Sequence, residues 1–196
     1  MASSGRDRGL RLWDLTRGTS AANLSTEDVA EELLWSPTGD RLAALSPKEL
    51  LVVTLASNEL RTYKDPNAGG LTHVSLTAVM FLDGSGLLLG DGKGDVRVVE
   101  PTSSGKSLAE VGKLASDPKR GRIKALLRGD DGLFVIGTST GRVEVWAHDA
   151  EVKASEEGAF SKVWEVDTDS RLTCAALWCP PVAKATKASD SGGKNT

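Results

Sequence analysis

Apolar residues in this chain fall into short runs, each closed by a turn, and the runs recur at a regular spacing. Four runs end in a large hydrophobe before a turn or break. They are Glu31-Glu32-Leu33-Leu34-Trp35, Thr77-Ala78-Val79-Met80-Phe81, Lys124-Ala125-Leu126-Leu127 and Thr173-Cys174-Ala175-Ala176-Leu177-Trp178. From Trp35 to Phe81 is 46 residues, from Phe81 to Leu127 is 46, and from Leu127 to Trp178 is 51. A second ladder runs between them. Leu10-Arg11-Leu12-Trp13 alternates apolar with polar, as a half-buried strand does, and is matched by Leu50-Leu51-Val52-Val53, Val96-Arg97-Val98-Val99 and Val143-Glu144-Val145-Trp146. Their fourth positions, Trp13, Val53, Val99 and Trp146, lie 40, 46 and 47 residues apart.

Two more strands fit into each unit. Arg41–Leu45, Leu87–Gly90 and Leu133–Gly137 are apolar inner partners, followed by turn-forming stretches such as Asp91-Gly92-Lys93-Gly94 and Thr138-Ser139-Thr140-Gly141. More polar outer strands follow at Glu59–Tyr63, Lys106–Val111 and Lys162–Val166. Four strands in a period of 40–47 residues predict an all-β chain of four-stranded antiparallel blades, the unit of a WD40 β-propeller. About fifteen strands make a partial arc of about four blades. Their strands are expected near 6–24, 29–63, 74–114, 122–166 and 171–178, with the propeller spanning 1–182. Such an arc leaves apolar terminal faces to be covered. It reads as the C-terminal part of a longer propeller in preference to a ring completed by another chain. Residues 183–196, poor in hydrophobes, read as a disordered, mildly basic tail.

Composition narrows the functional classes. A net charge of −3 from 24 basic and 27 acidic residues gives no global basic field of the kind nucleic-acid proteins carry. No apolar run approaches the ~20 residues of a membrane helix, and the opening residues carry no secretory h-region. Cys174 and Cys179, with His73 and His148 as the only histidines, are too few for a disulfide framework or a zinc site. Cys174, in an apolar run, is expected to pack as a small hydrophobe.

Little in the chain resembles catalytic machinery. Ser103-Ser104-Gly105-Lys106-Ser107 ends like a phosphate loop, but Glu100 stands where its first glycine belongs and no helix follows. The glycines of Gly90-Asp91-Gly92-Lys93-Gly94 are those of a hairpin turn and suit positive φ. Asp130-Asp131 lacks calcium-loop spacing, and neither histidine has a nucleophile near it in sequence. The chain therefore reads as a non-enzyme that binds no cofactor, metal or small-molecule substrate. Charge is more informative. Lys119, Arg120, Arg122 and Lys124 cluster at the loop entering an inner strand, and Lys93, Arg142 and Arg171 stand at turns expected on the same propeller rim. These seven residues are the candidate contacts for RNA phosphates or an acidic protein.

The segment Asp169-Ser170-Arg171-Leu172-Thr173-Cys174-Ala175-Ala176-Leu177-Trp178 resembles the closing signature of the p21-activated-kinase-interacting (Mak-eleven) WD40 family. Leu10–Leu15, Leu34–Gly39 and Gly141–Trp146 follow the order and spacing of that family's C-terminal half. The resemblance implies a nuclear, largely nucleolar scaffold needed to assemble the large (60S) ribosomal subunit, with pre-ribosomal proteins and rRNA as partners. It also implies negative regulation of p21-activated kinase, and the bare repeat leaves open a generic interaction adaptor.

Overall fold

The computed structural model describes residues 1–57, 59–66, 74–82, 86–104, 107–156 and 158–177. Among these residues fifteen strands form four antiparallel sheets, each a simple meander in which neighbours in sequence are neighbours in space. The first holds β1 (Ala2–Ser4), β2 (Gly9–Asp14) and β3 (Thr19–Ser25). The second holds β4 (Glu32–Trp35), β5 (Arg41–Leu45), β6 (Glu49–Thr54) and β7 (Glu59–Lys64). The third holds β8 (Leu76–Phe81), β9 (Leu87–Asp91), β10 (Val96–Pro101) and β11 (Leu108–Lys113). The fourth holds β12 (Ile123–Arg128), β13 (Leu133–Thr138), β14 (Arg142–His148) and β15 (Phe160–Asp167). Inner strands of successive sheets pack together, β4 on β8 and β8 on β12, so the sheets are propeller blades arranged about an axis.

The core lies between blades. Leu10, Leu12, Leu42, Ala44, Leu51 and Val53 join the first sheet to the second. Leu50, Val52, Tyr63, Val79, Phe81 and Leu89 join the second to the third, while Met80, Leu88, Val98, Leu126, Phe134 and Trp146 join the third to the fourth. A middle strand is thus covered on both faces, which is why β6 reads as an unbroken apolar run where a one-sided strand would alternate. Each fully buried leucine or phenylalanine contributes about 1.5–3 kcal/mol relative to exposure. Burial falls away outward, as the polarity of the outer strands predicts: β3 and β15 are largely exposed.

Three expectations need correction. The first blade contains β1, a strand that its residues Ala-Ser-Ser do not announce; it exists because Ala2, Ser3 and Ser4 pair with Leu12, Arg11 and Leu10. At the other end, residues 173–177 form no strand, because no neighbouring strand among the described residues offers them a ladder of hydrogen bonds. Cys174 consequently lies exposed instead of packed. His73, Trp178, Cys179 and the tail fall outside the described residues. The glycines around Asp91 also divide by role. Gly94 alone of them has positive φ, whereas Gly90 lies flat against Ile123 of the next blade, where an added Cβ would come within 2.5 Å of Cγ2.

Glu32, on inner strand β4, reaches across to the next blade. Burial pushes its carboxyl up from the ordinary value of 4.5, against a hydrogen bond donated by the Val79 backbone N–H that pulls it down. The folded state then holds the proton more tightly than the unfolded chain. Stability is lost as pH rises from 4.5 through the raised folded value. Glu32→Gln keeps an acceptor for Val79 and removes the charge. It is expected to unfold at higher urea than wild type at pH 7, with the difference vanishing below pH 4.5, as parallel urea titrations would measure.

Candidate partner-binding rim

One end of the arc is built from the turns between second and third strands and the loops that enter the inner strands. These are contiguous. An added Cβ on Gly94, in the β9–β10 turn, would lie 2.4 Å from the Gly121 carbonyl oxygen in the loop before β12. One on Gly141, in the β13–β14 turn, would lie 2.3 Å from the Ser170 carbonyl oxygen in the loop after β15. Thr140 donates its hydroxyl to the Arg120 carbonyl at 3.1 Å, tying the β13–β14 turn to the same loop. The loops bearing Lys93, Lys119, Arg122, Arg142 and Arg171 therefore follow one another along a single rim.

The seven basic residues do not share one fate. Lys93, Lys119, Arg122 and Arg171 are exposed. Lys124 belongs to strand β12, not to the loop, and is half-buried. Arg142 opens β14 and forms an ion pair with Asp117. The Lys119 backbone N–H and then the Arg142 charge hold the Asp117 carboxyl below the usual range, so that cation is internally matched.

Arg120 is the clear correction. Its side chain is 1% exposed, and it cannot touch a partner. The guanidinium donates from Nε and Nη2 to Glu144 Oε1 and Oε2 at 3.1 and 3.0 Å, and from Nη1 to the Gly94 and Ala115 carbonyls at 3.2 Å each. Trp146 Nε1 donates to Glu144 Oε2 at 2.8 Å, and the guanidinium lies 5.7 Å from the centroid of that ring. This is a buried bidentate pair at the junction between two blades. The signal in the sequence is Glu144 itself. It alternates with Val143 and Val145 on the same face as Trp146, and that face is buried.

A second polar knot, also missed, stands at the preceding junction. Arg97 on β10 donates to Asp91 Oδ2 at 3.1 Å and to Asp65 Oδ2 at 3.4 Å, and its Nη1 lies 3.5 Å from the Tyr63 hydroxyl. Burial alone would lower the Arg97 pKa; Tyr63, Asp65 and Asp91 together hold it above its ordinary value. Asp91 also accepts the backbone N–H groups of Lys93 and Asp95 at 2.8 and 3.0 Å, fixing the turn that presents Lys93. The rim is thus exposed basic side chains on loops pinned from beneath by buried ion pairs.

Among the described residues no three His, Cys, Asp or Glu side chains gather to hold a metal. Asp131 and Gly132 adopt positive φ in the turn between β12 and β13. His148 ends β14 and stacks on Phe160 with centroids 5.0 Å apart, its ring nitrogens buried without hydrogen-bond partners. No helix long and apolar enough to cross a membrane occurs among the described residues.

Comparison with known proteins agrees with this architecture. The chain is 28% identical over 94% of its length to a p21-activated protein kinase-interacting protein 1-like protein of Danio rerio, covering 46% of that relative. It is 28% identical to one of Gallus gallus, covering 51%, and 23% identical to p21-activated protein kinase-interacting protein 1 of Homo sapiens, covering 43%. The chain thus spans about half the length of the relatives it matches. No protein-family model matches it. Among solved structures it superposes on the β-propeller domain of Myceliophteria thermophila Cps50 (Swd1) with a TM-score of 0.65 at 15% identity, over 88% of this chain and 56% of that one. The fold is an arc of a WD40 β-propeller.

Proposed function

We propose that this chain is a non-catalytic scaffold whose exposed basic rim holds an anionic partner during assembly of the large ribosomal subunit, in the nucleus and nucleolus. The observation that carries the reading is the run of exposed Lys93, Lys119, Arg122 and Arg171 along contiguous loops fixed by buried ion pairs. Rigid display of cations suits phosphate or acidic side chains, which form the stronger, charge-assisted hydrogen bonds. The partners in this reading are pre-ribosomal proteins and rRNA. A second reading, binding and restraint of a p21-activated kinase, is favoured by the names of the relatives, which are p21-activated protein kinase-interacting proteins.

One experiment separates the two. The tagged protein from nuclear extract is run on a sucrose gradient with and without RNase, beside a Lys93→Glu/Arg122→Glu/Arg171→Glu variant. Migration with large-subunit precursors, collapsing after RNase and lost in the variant, is expected. Unchanged association of the variant would remove the rim from the reading. A small, RNase-indifferent species that instead binds purified p21-activated kinase would transfer the function to the second reading.

A further inference from the structure

We infer that the junction between the first and second blades is a binding site for an arginine side chain presented by a partner protein. The blade repeat places corresponding residues in the three junctions. Leu51 on β6, Arg97 on β10 and Glu144 on β14 are the second positions of one ladder, and each faces the preceding blade. Arg97 is met by Asp65 and Asp91, and Glu144 by Arg120, so each of those junctions encloses a guanidinium–carboxylate pair. Leu51 brings no charge to its own junction.

Carboxylates are kept there nevertheless. Glu49, two residues before Leu51, corresponds to Asp95, 46 residues on, and to Arg142, 47 further. Asp95 pairs with Lys113 at 2.7 Å, and Lys113 stands across the ladder from Arg97 as Thr62 stands across from Leu51. Arg142 pairs with Asp117, three residues past Leu114, the partner of Val96. Glu27 lies three residues past Leu24, the partner of Leu10. The junction of the first two blades therefore sets Glu27 beside Glu49 where the last junction sets an acid beside a base, and it has Thr62 in the place of a lysine. Glu49 is 7% exposed. Its Oε2 accepts the Glu27 backbone N–H at 3.4 Å, and among the described residues no lysine or arginine forms an ion pair with it.

The space for a cation is open. A cavity of about 300 Å³ lies beside Glu49, walled by Leu24, Leu51 and Leu60, with Glu27 and Lys64 at its exposed edge. Every wall comes from residues 24–64, on strands of the first two blades and the loop that joins them. Lys64 pairs with Glu27, and that bond, with the added charge of Glu49, holds the Lys64 ammonium above its ordinary value. An arginine suits both parts of the cavity. Its methylene stem packs on the three leucines, and its planar fork, more weakly hydrated than an ammonium, meets the buried carboxylate. The arginines on strands of these two blades are held elsewhere, Arg11 by Asp7, Arg41 over the Phe81 ring and Arg61 by Glu59. The complementary charge is therefore brought by a partner. It is opposite in sign to the partner of the basic rim, so the site does not rest on the function proposed above.

Acetyl-arginine amide is the probe. Titrated into the isotope-labelled full chain, it is expected to shift the amide signals of Ser25, Glu27 and Glu49 saturably, with a dissociation constant on the order of 1 mM. Acetyl-lysine amide is expected to bind about tenfold more weakly. Glu49→Gln is expected to abolish saturation, while Lys64→Gln, which releases Glu27, is expected to tighten binding several-fold. Residues that merely held the blades together would not give Lys64→Gln that sign. Leu60→Trp fills the cavity from a wall that is 43% exposed and leaves both carboxylates in place. It is expected to block binding with an unchanged urea midpoint. A linear response without saturation, or equal affinity for the two amides, would overturn the proposal. So would saturation that survives Glu49→Gln in a chain with wild-type amide dispersion. Loss of binding when the chain is produced together with sequence that flanks it in the gene would assign the cavity to this protein's own residues and overturn the role of a partner.

Discussion

Glu144→Ala is expected to cost about 3–5 kcal/mol of stability, read as a large fall in the urea midpoint at pH 7. Its carboxylate is fully buried and accepts both ends of the Arg120 fork as well as the Trp146 indole N–H. Removal leaves a buried guanidinium with the Gly94 and Ala115 carbonyls as its remaining hydrogen-bond partners among the described residues. Arg120→Ala is expected to cost a similar amount, by stranding the carboxylate. Replacing both partners with apolar residues of similar volume, Arg120→Met with Glu144→Leu, is expected to cost less than either single change, because no uncompensated charge remains. A double variant as unstable as the sum of the singles would mean that the pair acts mainly through its bonds to the loop carbonyls.

That pair also marks where the sequence stops being legible. The blade period is readable because each blade buries two faces, so the apolar ladder repeats wherever the backbone does. The rim is readable for the same reason: Lys93, Arg122, Arg142 and Arg171 follow from their place at turns in the repeat. Which cation of Lys119-Arg120-Gly121-Arg122 points inward is not. Arg120 and Arg122 differ only in what stands opposite them, and Glu144 lies 24 residues away on another strand. Local pattern carries no information about a partner set by tertiary packing. Strand β1 is hidden for a related reason, since three small polar-leaning residues become a strand only by pairing with Leu10–Leu12. Cys174 misleads the other way. Its apolar surroundings in sequence suggest a core, but a strand-like run without a neighbouring strand is a surface.

The rim's own stability rests on one backbone conformation, which makes Gly94→Ala the second large expected effect. Gly94 has φ +95°, outside the range that L-residues adopt readily, and its Cβ position lies 2.4 Å from the Gly121 carbonyl oxygen and 3.2 Å from the Arg120 Cβ. Gly39, in the turn between β4 and β5, supplies the comparison: φ is +72° and nothing lies within 4 Å. Gly39→Ala is therefore expected to cost only the left-handed backbone penalty, about 1–2 kcal/mol. Gly94→Ala must in addition displace backbone, and that backbone carries Arg120 into Glu144. The expected loss is larger than for Gly39→Ala by about 1–3 kcal/mol, since overpacking and a loosened ion pair add to the strain. The comparison is made by urea unfolding of the two variants at one pH. Equal losses would show that the turn and the loop before β12 can separate without disturbing the junction. A larger loss at Gly94 that shrinks in the Arg120→Met/Glu144→Leu background would show that the glycine and the ion pair act as one unit.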